Sequence, residues 1–176
     1  LAQRVIRTVN DAGFAATADA TRGLDHGAWV PLSLVYPDAR VPVVQLSMDA
    51  RRDARWHAAL GRALAPLRED GVLILASGGA THNLRALFRP GGLPPADAPA
   101  PRWVRTFADW LADGLAANDK DRMIDTWRDA PHALDNHPTP EHLLPLFVAM
   151  GAGGTASCLH RSTTHGVLAM DAYAFA

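Results

Sequence analysis

Cysteine is nearly absent from the chain. Cys158 is alone among 176 residues, which excludes an internal disulfide framework and any CxxC metal site. That usage fits a reducing compartment, and a cytoplasmic location is the expectation. A basic surplus is missing too: 17 Lys+Arg stand against 18 Asp+Glu, for a net charge of −1. With no excess of cations to displace counterions, there is no electrostatic case for a nucleic-acid or anionic-membrane partner. Lys120 is the only lysine, so nearly all the positive charge is arginine. No apolar run approaches the ~20 residues that a membrane span needs, and no signal peptide opens the sequence. There is no GxGxxG, no phosphate loop and no Gly-x-Ser-x-Gly, and Cys158 has no evident activating partner. What is present is globular in composition, 48% apolar and 20% charged, and its length suits one domain over residues 1–176.

The pattern along the chain predicts an α/β protein with a central, mostly parallel sheet flanked by helices. Leu1, Val5, Ile6 and Val9 share one helical face, with no Met and no capping residue before them. The sequence thus reads as if it begins inside a helix, with a further segment expected upstream. Val41 to Met48 is a short apolar run suited to a buried strand. Residues 52–69 carry Trp56, Leu60, Leu64 and Leu67 at helical spacing, and residues 72–77 read as a second buried strand. Strand, helix and strand within about 35 residues make a βαβ unit. Residues 90–101 hold too much proline and glycine for a regular element and read as a surface loop or flap. Trp103, Phe107, Trp110, Leu111 and Leu115 describe another amphipathic helix, and residues 121–127 a shorter one. Thr139-Pro140-Glu141 looks like a helix start, with a buried face from Leu143 to Met150 and an end at Gly151. Gly151-Ala-Gly-Gly follows that helix rather than opening one, which favours a C-cap over a phosphate cradle. The segment from Gly166 onward reads as a final strand.

Histidine is in surplus, with eight residues. His57 falls opposite the apolar stripe of its helix and reads as a solvated surface residue, and His132 reads as a surface loop residue. His160 and His165 lie in a polar stretch near Cys158, without further soft ligands at zinc-site spacing. Three others occupy better places. His82 follows the strand 72–77, where ligands bind in open α/β sheets. His26 is flanked by glycines and by Asp25, a carboxylate suited to orienting an imidazole. His142 stands in the first turn of a predicted helix. Together they point to a metal or acid–base site, and a metal-dependent enzyme with imidazole ligands is the leading class.

The motifs Gly23-Leu-Asp-His-Gly-Ala-Trp-Val-Pro-Leu, Pro42-Val-Val-Gln-Leu-Ser, His82-Asn-Leu-Arg and Pro138-Thr-Pro-Glu-His-Leu-Leu-Pro-Leu occur in that order. The chain resembles, over nearly its whole length, the class III extradiol ring-cleavage dioxygenases, in particular the subgroup of proteins like 4,5-DOPA dioxygenase extradiol. The resemblance implies an α/β fold, one Fe(II) or Zn(II) ion per subunit, and a small catecholic substrate opened with O2. It carries metal-site roles onto His82 and His142, and a role in substrate binding or proton transfer onto His26. The acid–base role falls to His26 or His82. Two further metal histidines of the family, in a His-Gly-Ser-Pro and a Ser-x-His-Trp motif, have no counterpart here. The chain therefore corresponds to roughly the C-terminal two-thirds of a family member. A zinc-dependent hydrolase and a non-catalytic remnant of the fold stand as the alternatives.

Overall fold

The computed structural model describes residues 1–176 as a mixed helical and sheet structure. The N-terminal half contains α1 (Ala2–Asp11), α2 (His26–Val35), α3 (Ala54–Leu64), α4 (Pro66–Glu69) and α5 (Leu84–Leu87). The other half contains α6 (Arg102–Ala116), α7 (Lys120–Ile124), α8 (Thr126–Asp129), α9 (Ala133–Asn136) and α10 (Leu144–Ala152). Four short strands close the chain: β1 (Ala156–His160), β2 (Thr163–Thr164), β3 (Leu168–Ala169) and β4 (Ala172–Phe175).

The centre is the crossing of α3 and α10. Asp53 starts α3 by accepting the Trp56 amide, and Pro66, which cannot donate a helical hydrogen bond, separates α3 from α4. The two helices approach closely because both present glycine at the contact. A Cβ on Gly61 would overlap the Val148 carbonyl oxygen, and one on Gly151 would overlap the Ala58 carbonyl oxygen. Gly151 is therefore a packing residue inside α10, and the helix ends at Gly153 instead. The carbonyls at this end are taken by the only lysine: Lys120 Nζ donates to Met150 O and Gly153 O, both at 3.2 Å. One core cluster joins α3, α6 and α10 through Ala58, Phe107, Leu111, Leu144, Phe147 and Met150. A second joins Val5 and Val9 of α1 to Leu60, Leu64, Leu67 and Val148.

Helices α1, α3, α6 and α10 fall where the apolar spacing puts them, whereas α2 has no counterpart in that reading, and two further readings change. The predicted helix start at Thr139 is a turn: the Thr139 hydroxyl bonds Glu141, the Leu143 and Leu144 amides both bond Pro140 O, and α10 begins at Leu144. His57, read as solvated, is fully buried, because α3 is covered by both α1 and α10 and its buried surface is wider than the apolar stripe.

The sheet content is small and antiparallel, β1 with β4 and β2 with β3. Residues 41–48 and 72–77, the expected parallel strands, belong to neither sheet, and no backbone–backbone hydrogen bond involves residues 41–48 or 73–78. Val72 and Ile74 nevertheless pack on the α1–α3 cluster together with Leu46 and Met48, while Leu73 and Leu75 face outward. This alternation is that of a strand with one covered face.

Candidate functional site

The segment leaving residues 72–77 turns through Gly78 and Gly79 to His82, then enters α5. Its course is dictated by close contacts. A Cβ on Gly78 would overlap the His142 carbonyl oxygen, so only glycine lets this loop lie against the turn before α10. The Gly79 amide donates to that same carbonyl at 2.9 Å. Thr81, fully buried, accepts the Ala169 amide at 2.7 Å and donates to Val167 O at 2.8 Å, tying the loop to β3. Asn83 caps α5 by accepting the Ala86 amide.

These constraints bring His82 and His142 together. Their rings stack with centroids 3.5 Å apart and planes 21° from parallel. Burial holds the His82 imidazole below its ordinary pKa, and the neighbouring His142 pushes in the same direction, while Glu141 opposes it. Glu141 stands beside the pair, its carboxylate 3.8 Å from His142 Nε2. Glu141 itself titrates below the usual carboxylate range: burial acts to raise it and is its largest single influence, but the Thr139 hydroxyl, its own backbone and the two histidines together outweigh that.

His26 is the first residue of α2, and a charge on it acts to lower the His82 pKa, the weakest of the influences on that ring. Asp25 does not serve it as an orienting partner. Its carboxylate accepts the Ala28 amide as an N-cap and the Gln45 side-chain amide at 2.8 Å, while Gln45 Oε1 accepts the Asp25 amide. Gly27 lies against Ser77, so the start of α2 sits at the end of the 72–77 segment that leads to His82.

The other histidines are engaged elsewhere. His57 Nδ1 donates to Asp53 O at 2.7 Å; His160 bonds Ser162; His132 is paired with Asp135 on the surface. His165 Nδ1 donates to Pro94 O at 2.7 Å and its amide to Ala96 O, which pins the proline-rich loop 90–101 against the β2–β3 hairpin. His137 was missed by sequence reasoning. It is 1% exposed, and its Nε2 donates to Ala80 O at 2.9 Å, one residue from the buried Thr81 and two from His82. Its only sequence signal is proximity to the Pro-Glu-His motif.

Neutral imidazoles are good donors to Fe(II) or Zn(II), and the depressed His82 has a free lone pair at neutral pH. His82 and His142 are of the residue type that could hold such an ion. No group of three or more His, Cys, Asp or Glu side chains is arranged to hold a metal ion, whereas catalytic sites of this kind use three protein ligands.

Over residues 1–176 the sequence matches the family described as the catalytic LigB subunit of aromatic ring-opening dioxygenase, and the chain belongs to that family. It is 41% identical over 179 residues to the 4,5-DOPA dioxygenase extradiol of Beta vulgaris, covering 99% of this chain and 65% of that protein. The protein of the same name from Escherichia coli K12 is 37% identical, over 86% of this chain and 55% of its own length. A crystal structure of an uncharacterized E. coli K12 protein superposes with a TM-score of 0.81 at 32% identity, covering 98% of this chain and 70% of that one. The chain therefore spans just under two thirds of the length of the curated relatives it matches most extensively.

Proposed function

We propose that this chain is the larger part of a metal-dependent extradiol dioxygenase, which opens the ring of a catechol of the DOPA type by inserting both atoms of O2 beside one of the two hydroxyls. The observation that carries this reading is the stacked His82–His142 pair, assembled by two motifs 60 residues apart within a chain of the ring-opening family. A zinc hydrolase has no such support. A central parallel sheet completed around residues 41–48 and 72–77 belongs to the same proposal.

In this reading His82 and His142 hold the ion, and the two further histidine motifs that the resemblance implies, which lie outside these 176 residues, supply the remaining ligands. An ion held by His82 and His142 would supply a Lewis-acid centre for a catechol and, as iron, the redox chemistry that triplet O2 requires. The protein's own groups handle protons and position. Burial and the stacked His142 ring both disfavour a charge on His82. His26, or His82 where it does not hold the ion, takes the second catechol proton and returns it as the ring opens. Glu141 favours the protonated form of His82 and offsets a charge created there.

The test is O2 uptake on adding DOPA or another catechol to the Fe(II)-loaded protein that holds these residues together with both upstream histidine motifs. His82→Ala is expected to lower catechol-dependent uptake by about a hundredfold or more, the scale of a lost acid–base group. His160→Ala, on an exposed strand, is expected to match wild type. Full activity in His82→Ala at unchanged metal content would show that neither role assigned to that side chain is right. Purified protein without stoichiometric metal, inert toward catechols, would favour a non-catalytic remnant.

A further inference from the structure

The loop carrying His82 is stitched to the segment 135–137 by three hydrogen bonds. His82 N donates to Asn136 O at 3.0 Å, Asn83 Nδ2 donates to Asp135 O at 2.6 Å, and His137 Nε2 donates to Ala80 O at 2.9 Å. The first joins two backbones and the second lies at the surface. The third is the only one made by a fully buried side chain, and no other hydrogen bond engages the Ala80 carbonyl.

The two ring nitrogens of His137 differ in a telling way. The one facing a carbonyl must carry the proton, since a carbonyl oxygen only accepts. Nδ1 is then an unprotonated acceptor, and it is buried with no partner. Burying such a nitrogen unpaired is costly, and the Phe107 ring, its centroid 5.5 Å away, offers it no partner. The other nitrogen, Nε2, reaches outside the 135–137 segment to the Ala80 carbonyl. Asn136, next to it, is also fully buried; its Nδ2 donates to Trp103 O and His132 O, tying α9 to α6, while its Oδ1 has no partner.

We propose that His137 is a positioning residue: by donating to Ala80 O, it holds the 78–83 loop so that the His82 ring lies on His142. The inference rests on the dioxygenase reading only in taking that pair as the working site. It assigns His137 no contact with substrate or metal.

The test compares His137→Phe, which keeps the packing and removes the donor, with His137→Gln, whose terminal amide can reach the place of Nε2. Each is made in the 176-residue chain with its histidines labelled at Cε1. Stacked rings shield one another, so two of the eight wild-type histidine signals should lie upfield, and single substitutions of His82 and His142 assign them. In His137→Phe both are expected to lose that shift, at unchanged signals for His57, His160 and His165. In His137→Gln they are expected to keep it. Retention of the upfield pair in a folded His137→Phe, or its loss in a folded His137→Gln, would overturn the proposal, and the glutamine variant decides alone if the phenylalanine variant does not fold. Titration with Zn(II) adds a second readout, with roughly 10–100-fold weaker affinity expected for His137→Phe and recovery in His137→Gln. The ring-shift result needs no metal, so it decides positioning even where wild type takes up no zinc, an outcome that counts against the dioxygenase reading alone.

Discussion

Imidazoles sealed from water carry a pH dependence that can be stated in advance. Burial drives His137 down to about 4, against the bond to Ala80 O, which favours its protonation, and burial also lowers His57. Above pH 6.5 both residues are neutral in the folded and the unfolded chain, and neither contributes a pH slope. As pH falls below 6.5 the unfolded chain takes up protons that the folded chain refuses, so stability is lost between pH 6.5 and about 4. For His137 alone the loss by pH 5 is about 2 kcal/mol. Urea midpoints of wild type and His137→Gln at pH 7.5 and pH 5 check this: the wild-type midpoint should fall more steeply, and parallel midpoints would refute the assignment. Neither residue was legible in the sequence as a buried group. His137 is defined by a carbonyl 57 residues away, and His57 by a second helix packing on what looked like the free side of its own. His26, His82 and His142 stood out because glycine and proline marked the backbone around them, and the structure stacks the last two directly.

Among the elements, α3 and α6 could be read from apolar spacing because each buries a continuous stripe. The end of α10 could not, since Gly151 looks the same in sequence whether it caps a helix or admits a neighbour. The structure makes it the second kind, which has a measurable consequence. Alanine normally favours a helix over glycine, yet Gly151→Ala and Gly61→Ala each push a methyl into a backbone carbonyl across the α3–α10 crossing. Each is expected to destabilise by about 2 kcal/mol or more, as overpacking does in rigid cores. Gly23→Ala, where a Cβ meets nothing within 4 Å, should stay within about 0.5 kcal/mol of wild type. Thermal unfolding of the three variants separates the cases, and a neutral Gly151→Ala would mean the helices cross more loosely than the structure shows. The strands at 41–48 and 72–77 illustrate the opposite limit. Their continuous apolar runs read as buried strands, but pairing and the covering of a second face depend on what lies alongside, and no local pattern encodes that.

At the scale of the whole molecule, the apolar surface is unevenly distributed. Helix α2 is rich in Val, Leu and Trp yet buries none of its residues, with Trp29 54% and Leu34 80% exposed. Leu73 and Leu75 point outward from a segment whose backbone groups bond to no other backbone, and Val41, Val43 and Val44 are likewise exposed. A helix that is apolar all round is normally enclosed, and an unpaired apolar strand is a template for association. Exposed apolar groups on this scale favour association. The 176-residue chain on its own is therefore expected to self-associate, giving a mass above 18.8 kDa that rises with concentration in light scattering after size exclusion. Charge placed on these surfaces should reverse it: Leu34→Lys with Leu73→Lys is expected to shift the population toward monomer without lowering the unfolding midpoint, because neither side chain contributes to a core cluster. A monodisperse wild-type monomer with a sharp thermal transition would show instead that these surfaces are tolerated in water and need no cover.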